Sequence, residues 1–350
     1  MTGTGPPHKT SKNERATRRP RGIPRALLLG LLLACCAAAT LLSIGIGTAP
    51  LSFSRIAAAL TGDGDPVARI ILFDLRMPRA LLGLSVGAML GVAGAALQGY
   101  LRNPLAEPSV VGVSNAAALG AVIALYFGFA ALHQAILPVM AVIGAFAALG
   151  ALFLLSGASE SPLTLILAGI AIATLAGAGI SLTLNLSPNP FAAMEIATWL
   201  LGSLEDRSIN HVLIALPCIA AGVALLLWNG RALDALTLGE DGAQALGVDL
   251  GRMRLRLMLG VACGVGGAVA VSGSIGFVGL IVPHIVRPLT DRSPSAVLLP
   301  SALGGAALLT FADVLVRLIP TNNELKLGVV TAFLGVPVFL IHLMRERRLW

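Results

Sequence analysis

Few residues of this 350-residue chain combine the types and spacing that chemistry needs. Ser274 precedes His284 by ten residues in a Gly-rich stretch, but a serine nucleophile needs a base held beside it, and the spacing supplies none. His133, His211, His284 and His342 are scattered singly. Cys35, Cys36, Cys218 and Cys263 lie within apolar runs without a CxxC pair, so they read as small packing residues rather than metal ligands or a disulfide framework. No G-x-x-x-x-G-K-[ST] loop is present to cradle ATP phosphates. Catalytic, cofactor-binding and metal-ligating residues are therefore expected to be none, and the chain is not read as an enzyme. What remains is charge, concentrated in one island from Asn229 to Arg256, where Arg231, Arg252, Arg254 and Arg256 stand with Asp234, Glu240, Asp241 and Asp249. A segment that must stay in water while both flanks prefer lipid is a loop. Leu233, Leu236, Leu238, Ala243 and Leu246 give it short helical stripes, as suits a surface against which another protein pushes.

The elements around this island are membrane spans. The chain is 56% hydrophobic and 12% charged, with a mean hydropathy of +0.88, too apolar for a soluble domain. Its net charge of +7 sits at the ends of apolar runs, beside two tyrosines and no nucleic-acid motif, so topology accounts for it and no nucleic-acid partner is expected. Residues 1–25 carry seven Lys/Arg against Glu14 alone and read as a disordered basic cytosolic tail. LLLAC, at Cys35, and TRRPRG imitate leader signals. The run from Ala26 to Gly47 is nevertheless long enough to span, where a leader core has about 7–15 residues.

Ten apolar runs follow, at about 26–47, 78–100, 108–130, 134–155, 163–186, 209–228, 255–273, 276–289, 296–316 and 327–344. Between Arg256 and Arg287 thirty residues carry no charge. As one helix they would be about 45 Å long against a hydrocarbon core of about 30 Å, so the chain must turn back, with breaks expected at Gly273, Gly276 and Gly279 and a kink at Pro283. A basic tail and a terminal RERR both prefer the cytosol, which requires an even count and places 17 Lys/Arg inside and 7 outside. The island then becomes a cytosolic loop over about 230–254. Arg76, Arg79 and Arg317 fall on the outer face, where the charge rule disfavours them.

Small residues recur at every fourth position in the second span (Gly83, Gly87, Gly91, Ala95, Gly99), the fifth (Gly169, Ala173, Gly177, Ser181) and the seventh (Gly260, Gly264, Ala268, Ser272). Such ladders let helix backbones approach closely. The second span is expected at the centre. Gln98, Asn115 and Ser181 are polar groups on these crowded spans and are read as pathway residues; Ser159, Ser161 and Thr164 at the inner mouth are read as a gate. Hydroxyls that bond back to their own helix offer the plainer alternative.

Five strings then stand out in order: LRMPRALLGLSVGAMLGVAGAALQG (Leu75 to Gly99), RNPLAEPSVVGVSNAAALGA (Arg102 to Ala121), GSIGFVGLIVPHIVR (Gly273 to Arg287), LPSALGGAALLTFADVLVRL (Leu299 to Leu318) and ELKLGVVTAFLGVPVFL (Glu324 to Leu340). Over roughly 70–345 they resemble the FecCD family of ABC-transporter permeases, importers of iron–siderophores, haem and vitamin B12. The resemblance implies an all-α polytopic fold like that of the vitamin B12 importer, ten transmembrane helices and both termini cytosolic, in a bacterial inner membrane. It implies two cytosolic ATPases that use the ATP, a periplasmic or lipid-anchored binding protein, a second permease copy in a homodimer or heterodimer, and most often an iron–siderophore cargo, with haem or cobalamin as alternatives.

By the same resemblance, Arg76, Arg79 and Arg317 look like arginines that receive acids of the binding protein. A plainer reading pairs Arg317 with Asp313 and lets the other two reach headgroups. Leu238, Gly239, Glu240, Asp241, Ala243, Leu246 and Gly247 look like the helix that couples to the ATPase, its glycines allowing tight turns and its apolar face rimmed by the two acids. A rival from another class, an ion-driven carrier, needs an acid near the midplane; Asp313 is the acid well within a span, one turn from Arg317.

Overall fold

The computed structural model describes residues 23–47, 51–62, 65–157, 161–321 and 324–346; Ser159 and the first 22 residues of the basic tail lie outside them. Among the described residues the fold is all-helical. It opens with α1 (Arg25–Gly45), the short α2 (Phe53–Thr61) and α3 (Pro66–Ile70), and a π-helical segment over Ile71–Arg76 that runs directly into α4 (Met77–Leu101). There follow α5 (Val113–Tyr126), α6 (Ile136–Ser156), α7 (Pro162–Asn185), α8 (Pro190–Leu200) and α9 (Ile209–Trp228). The charged island holds α10 (Gly230–Leu236) and α11 (Glu240–Ala245), and the chain closes with α12 (Leu250–Ser272), α13 (Val278–Val286), α14 (Pro294–Leu318) and α15 (Leu327–Glu346).

Seven of these helical stretches are long and apolar enough to cross a membrane: Arg25–Gly45, Pro66–Leu101, Ile136–Ser156, Pro162–Asn185, Ile209–Trp228, Leu250–Ser272 and Pro294–Leu318. Three expected spans are shorter helices, at Val113–Tyr126, Val278–Leu289 and Leu327–Leu340. The third is short because its first residues, after Pro104 and Pro108, form turns that reach a left-handed Gly112 before the helix starts. An additional helix, α8, lies between the fifth and sixth expected spans; Asn189 caps it by accepting from the Ala192 N–H at 2.9 Å, with Pro190 in its first turn.

α4 is the centre, buried almost along its length. Its small residues permit this: a side chain at Gly87 would overlap the Gly305 carbonyl of α14, and one at Gly94 would overlap the Gly279 carbonyl of α13. α12 is likewise buried along its small-residue face, whereas in α7 Gly177 faces open space and Ser181 is exposed. The ladder in the fifth expected span is thus a contact at its N-terminal members, where Gly169 meets the Val110 carbonyl and the Ala173 carbonyl accepts from Asn115.

The uncharged stretch turns back as its length demands. α12 ends at Gly273 (φ +70°), an irregular link follows, and Phe277 (φ +68°) opens α13. Gly202 and Gly328 crowd against this link, and Ser203 N–H donates to Ser272 O at 2.8 Å. Gly273 and Ile275 of this non-helical link are buried against protein, and Ser274, Gly276 and Phe277 are half-buried. Pro283 lies inside α13 without ending it.

Candidate functional site

At one end of the bundle the three singled-out arginines form an internal cluster. Arg79 donates to both oxygens of Asp313, at 2.9 and 3.0 Å, and to Glu324, at 3.1 Å through Nη1. Arg317 pairs with the other face of Asp313 at 2.9 Å. It also donates to the carbonyls of Ser43 and Ile46 and to Ser43 Oγ. Arg76 donates to the carbonyls of Ile44 and Gly45. Arg76 and Arg317 therefore satisfy the last carbonyls of α1, which have no partner within their own helix, and place cations at the negative end of its dipole.

This corrects the expectation of an outward positive rim. Arg76 is 4% exposed, Asp313 1%, and the Arg79 and Arg317 side chains are almost as covered. The plainer Arg317–Asp313 pairing is present, and Arg76 and Arg79 reach protein rather than headgroups. Glu324, from the loop before α15, was not singled out in the sequence. Nearby, Lys326 pairs with Glu205 at 2.7 Å. Arg207 beside it is largely covered, and burial lowers its pKa from the usual guanidinium range.

At the other end the island folds back on its own helices. Leu233, Leu236 and Ala243 are buried, and Asn229 is fully covered, its amide donating to Leu225 O at 3.0 Å. Leu238 and Leu246 are 69% and 64% exposed. Of the apolar face expected for a partner, Ala243 is therefore the inward anchor, and Leu238 and Leu246 are the residues on offer. Gly239 (φ +93°) admits the chain to α11. Gly247 (φ +83°) ends it in a Schellman turn, with Val248 N–H to Ala243 O at 3.0 Å and Gly247 N–H to Gln244 O at 2.8 Å. Glu240 stands 3.7 Å from Arg102, and Asp241 is exposed. Asp234 accepts from the Ser295 N–H at 2.8 Å, tying α10 to the start of α14. Arg254 departs from the solvated island: it is 5% exposed, donates to Ser156 Oγ and lies 5.0 Å over the Phe153 ring.

The expected pathway residues are not brought together. Gln98 is buried, donating to Leu280 O at 3.3 Å and accepting from Arg287 at 2.9 Å, so it ties α4 to α13 and to Arg287. Asn115 donates to Ala173 O at 3.4 Å across to α7, and Ser181 lies farther along α7 on its exposed side. Ser161 and Thr164 stand at the start of α7, beside the undescribed Ser159. Among the described residues no group of His, Cys, Asp or Glu could hold a metal.

The chain as a whole is matched by known proteins. The model of the FecCD transport family matches residues 32–345. The chain belongs to the FecCD transport family. The vitamin B12 import permease BtuC of Vibrio cholerae is 41% identical over 326 residues, 91% of this chain and 93% of that protein. The ferric enterobactin permease FepD of Escherichia coli is 37% identical over 334 residues, 93% and 97% of the two chains. An inward-facing structure of a transporter assigned to the metal-chelate type superposes with a TM-score of 0.83 at 32% identity, covering 92% of this chain and all of that one. This FecCD chain is a transport permease of the ABC importer kind, and membership implies an ATPase, a substrate-binding protein and a paired permease as its partners.

Proposed function

We propose that this chain is the membrane subunit of a binding-protein-dependent importer for a metal chelate, first among them a ferric siderophore. In this reading it crosses the inner membrane ten times, counting the three short apolar helices, with both termini cytosolic. The observation that carries the proposal is the α10–α11 turn, which exposes Leu238 and Leu246 while Leu233, Leu236 and Ala243 lock it to the bundle. Such a turn supports a role as a rigid coupling element seated in an ATPase groove. Asp234 joins it to α14, and α14, about 37 Å of helix at 1.5 Å per residue, carries Asp313 and Arg317 of the arginine cluster in its last two turns. A stroke at the cytosolic turn and an event at the outer face thus share one rigid element.

Docking of the binding protein is proposed at that outer cluster by exchange. An acid of the partner would replace Glu324 on Arg79, since the guanidinium is already engaged and offers no unpaired charge. Cobalamin is the second cargo, favoured by the 41% identity to the B12 permease. Reconstitution with the binding protein and the ATPase, followed by uptake of labelled ferric siderophore, haem and cobalamin, tests the assignment. Saturable uptake of the ferric siderophore supports it, and uptake of cobalamin alone would transfer it to the second reading.

A further inference from the structure

Four arginines from three helices converge on one cleft of about 1200 Å³ beside the coupling turn. Arg25 comes from the start of α1, Arg231 from α10, and Arg252 and Arg256 from the first turns of α12. The acid among the lining residues is Asp249, which caps α12 and stands 3.1 Å from Arg252; Asp291 acts electrostatically on Arg25 from the neighbouring loop. Four guanidinium groups against one lining carboxylate leave the cleft strongly positive. Its walls are apolar, with Leu227, Leu255 and Leu298.

Trp228 gives the cleft its direction. It is 71% exposed, and the Arg256 guanidinium lies 5.6 Å from its ring centroid. Along α9 the outward face reads Leu213, Pro217, Ala220, Ala224 and then Trp228, an exposed apolar stripe at helical spacing that runs into the cleft. Such a stripe faces acyl chains, and a tryptophan at its end marks the headgroup level. A basic mouth continuous with a lipid-facing stripe has the chemistry of a site for an amphiphile with an anionic head.

We propose that this cleft binds an anionic phospholipid of the cytosolic leaflet, its phosphate among Arg231, Arg252 and Arg256 and an acyl chain along α9 beneath Trp228. The leaflet rests on the cytosolic placement of the coupling turn proposed above. The site adjoins Leu246 and Gly247, so the bound headgroup would brace the turn on which the ATPase acts.

The test uses the full chain in vesicles that contain either dibrominated phosphatidylglycerol or dibrominated phosphatidylcholine in both leaflets. The Trp228 contribution to fluorescence is taken by difference from Trp228→Phe. The expected result is stronger quenching of Trp228 by the brominated phosphatidylglycerol, with the preference falling about fivefold for each arginine removed in Arg252→Gln and Arg252→Gln/Arg256→Gln. Retained quenching by brominated phosphatidylcholine in these variants shows that they are folded. Equal quenching by the two lipids in the unaltered chain would overturn the proposal. So would a preference abolished by excess inorganic phosphate, which would mark a free-anion site. Equal quenching together with loss of ATPase co-purification in the double variant would identify the cleft as a protein-docking surface. Quenching needs no ATPase and reads both leaflets, so failure of the importer assignment would leave its result intact.

Discussion

The Arg79 guanidinium lies 2.9 Å from Asp313 Oδ1, joining α4 to α14 at the end of the bundle where α1 also terminates. Asp313 is held from its other side by Arg317 and is almost wholly buried. Asp313→Asn would leave two covered guanidinium groups short of a counter-charge. Removing one partner of a buried pair costs about 3–5 kcal/mol. A marked fall in the thermal unfolding midpoint of the purified permease is expected, with a smaller fall for Glu324→Gln, which Arg79 can bear while it keeps Asp313.

The exchange account of docking gives Glu324→Gln a second consequence. Arg79 then has one internal acid fewer and should bind the acid of the binding protein more tightly. Association measured by surface-immobilised binding protein at low salt should strengthen, and the gain should shrink as salt is raised. An unchanged affinity would separate Arg79 from docking.

Gly247 sits at φ +83°, which a β-branched residue adopts only under strain. Gly247→Val should distort the Schellman turn that sets Leu246, so ATP hydrolysis by the reconstituted complex continues while uptake per ATP falls. Leu238→Asp with Leu246→Asp acts earlier and should release the ATPase on size-exclusion chromatography, with little effect on permease stability because both side chains are exposed.

Asp234→Ala removes the acceptor of the Ser295 N–H and with it the tie between coupling turn and α14. The permease should still bind both partners. Stimulation of ATP hydrolysis by the binding protein should drop several-fold, the size of effect that a lost coupling of about 1–3 kcal/mol produces.

The helices were legible in the sequence because a lipid-exposed segment cannot hide its length, and the thirty uncharged residues before Arg287 had to turn back. The central place of α4 was legible in its glycines, since close backbone approach leaves room for little else. The direction of long side chains was not. Arg79 meets Glu324 across 245 residues of sequence, and no local pattern carries that pairing. Charge counting put Arg76, Arg79 and Arg317 at the outer face but could not tell a rim from an interior, because a guanidinium on a long stem can turn either way. Arg254 looked like part of a solvated island, yet α12 begins at Leu250, and the helical turn carries Arg254 inward to Ser156. Ala243 was read as outward for a related reason: a six-residue helix has too few turns for its apolar side to be identified by spacing.

The central claim is that the α10–α11 turn receives the stroke of a separate ATPase. Its most direct test is uptake into proteoliposomes that contain the permease and ATPase, with the binding protein and labelled ferric siderophore outside and ATP inside. Uptake that requires ATP and is lost in the Leu238→Asp/Leu246→Asp variant is the predicted result; uptake driven by a proton or sodium gradient in vesicles lacking the ATPase would contradict it.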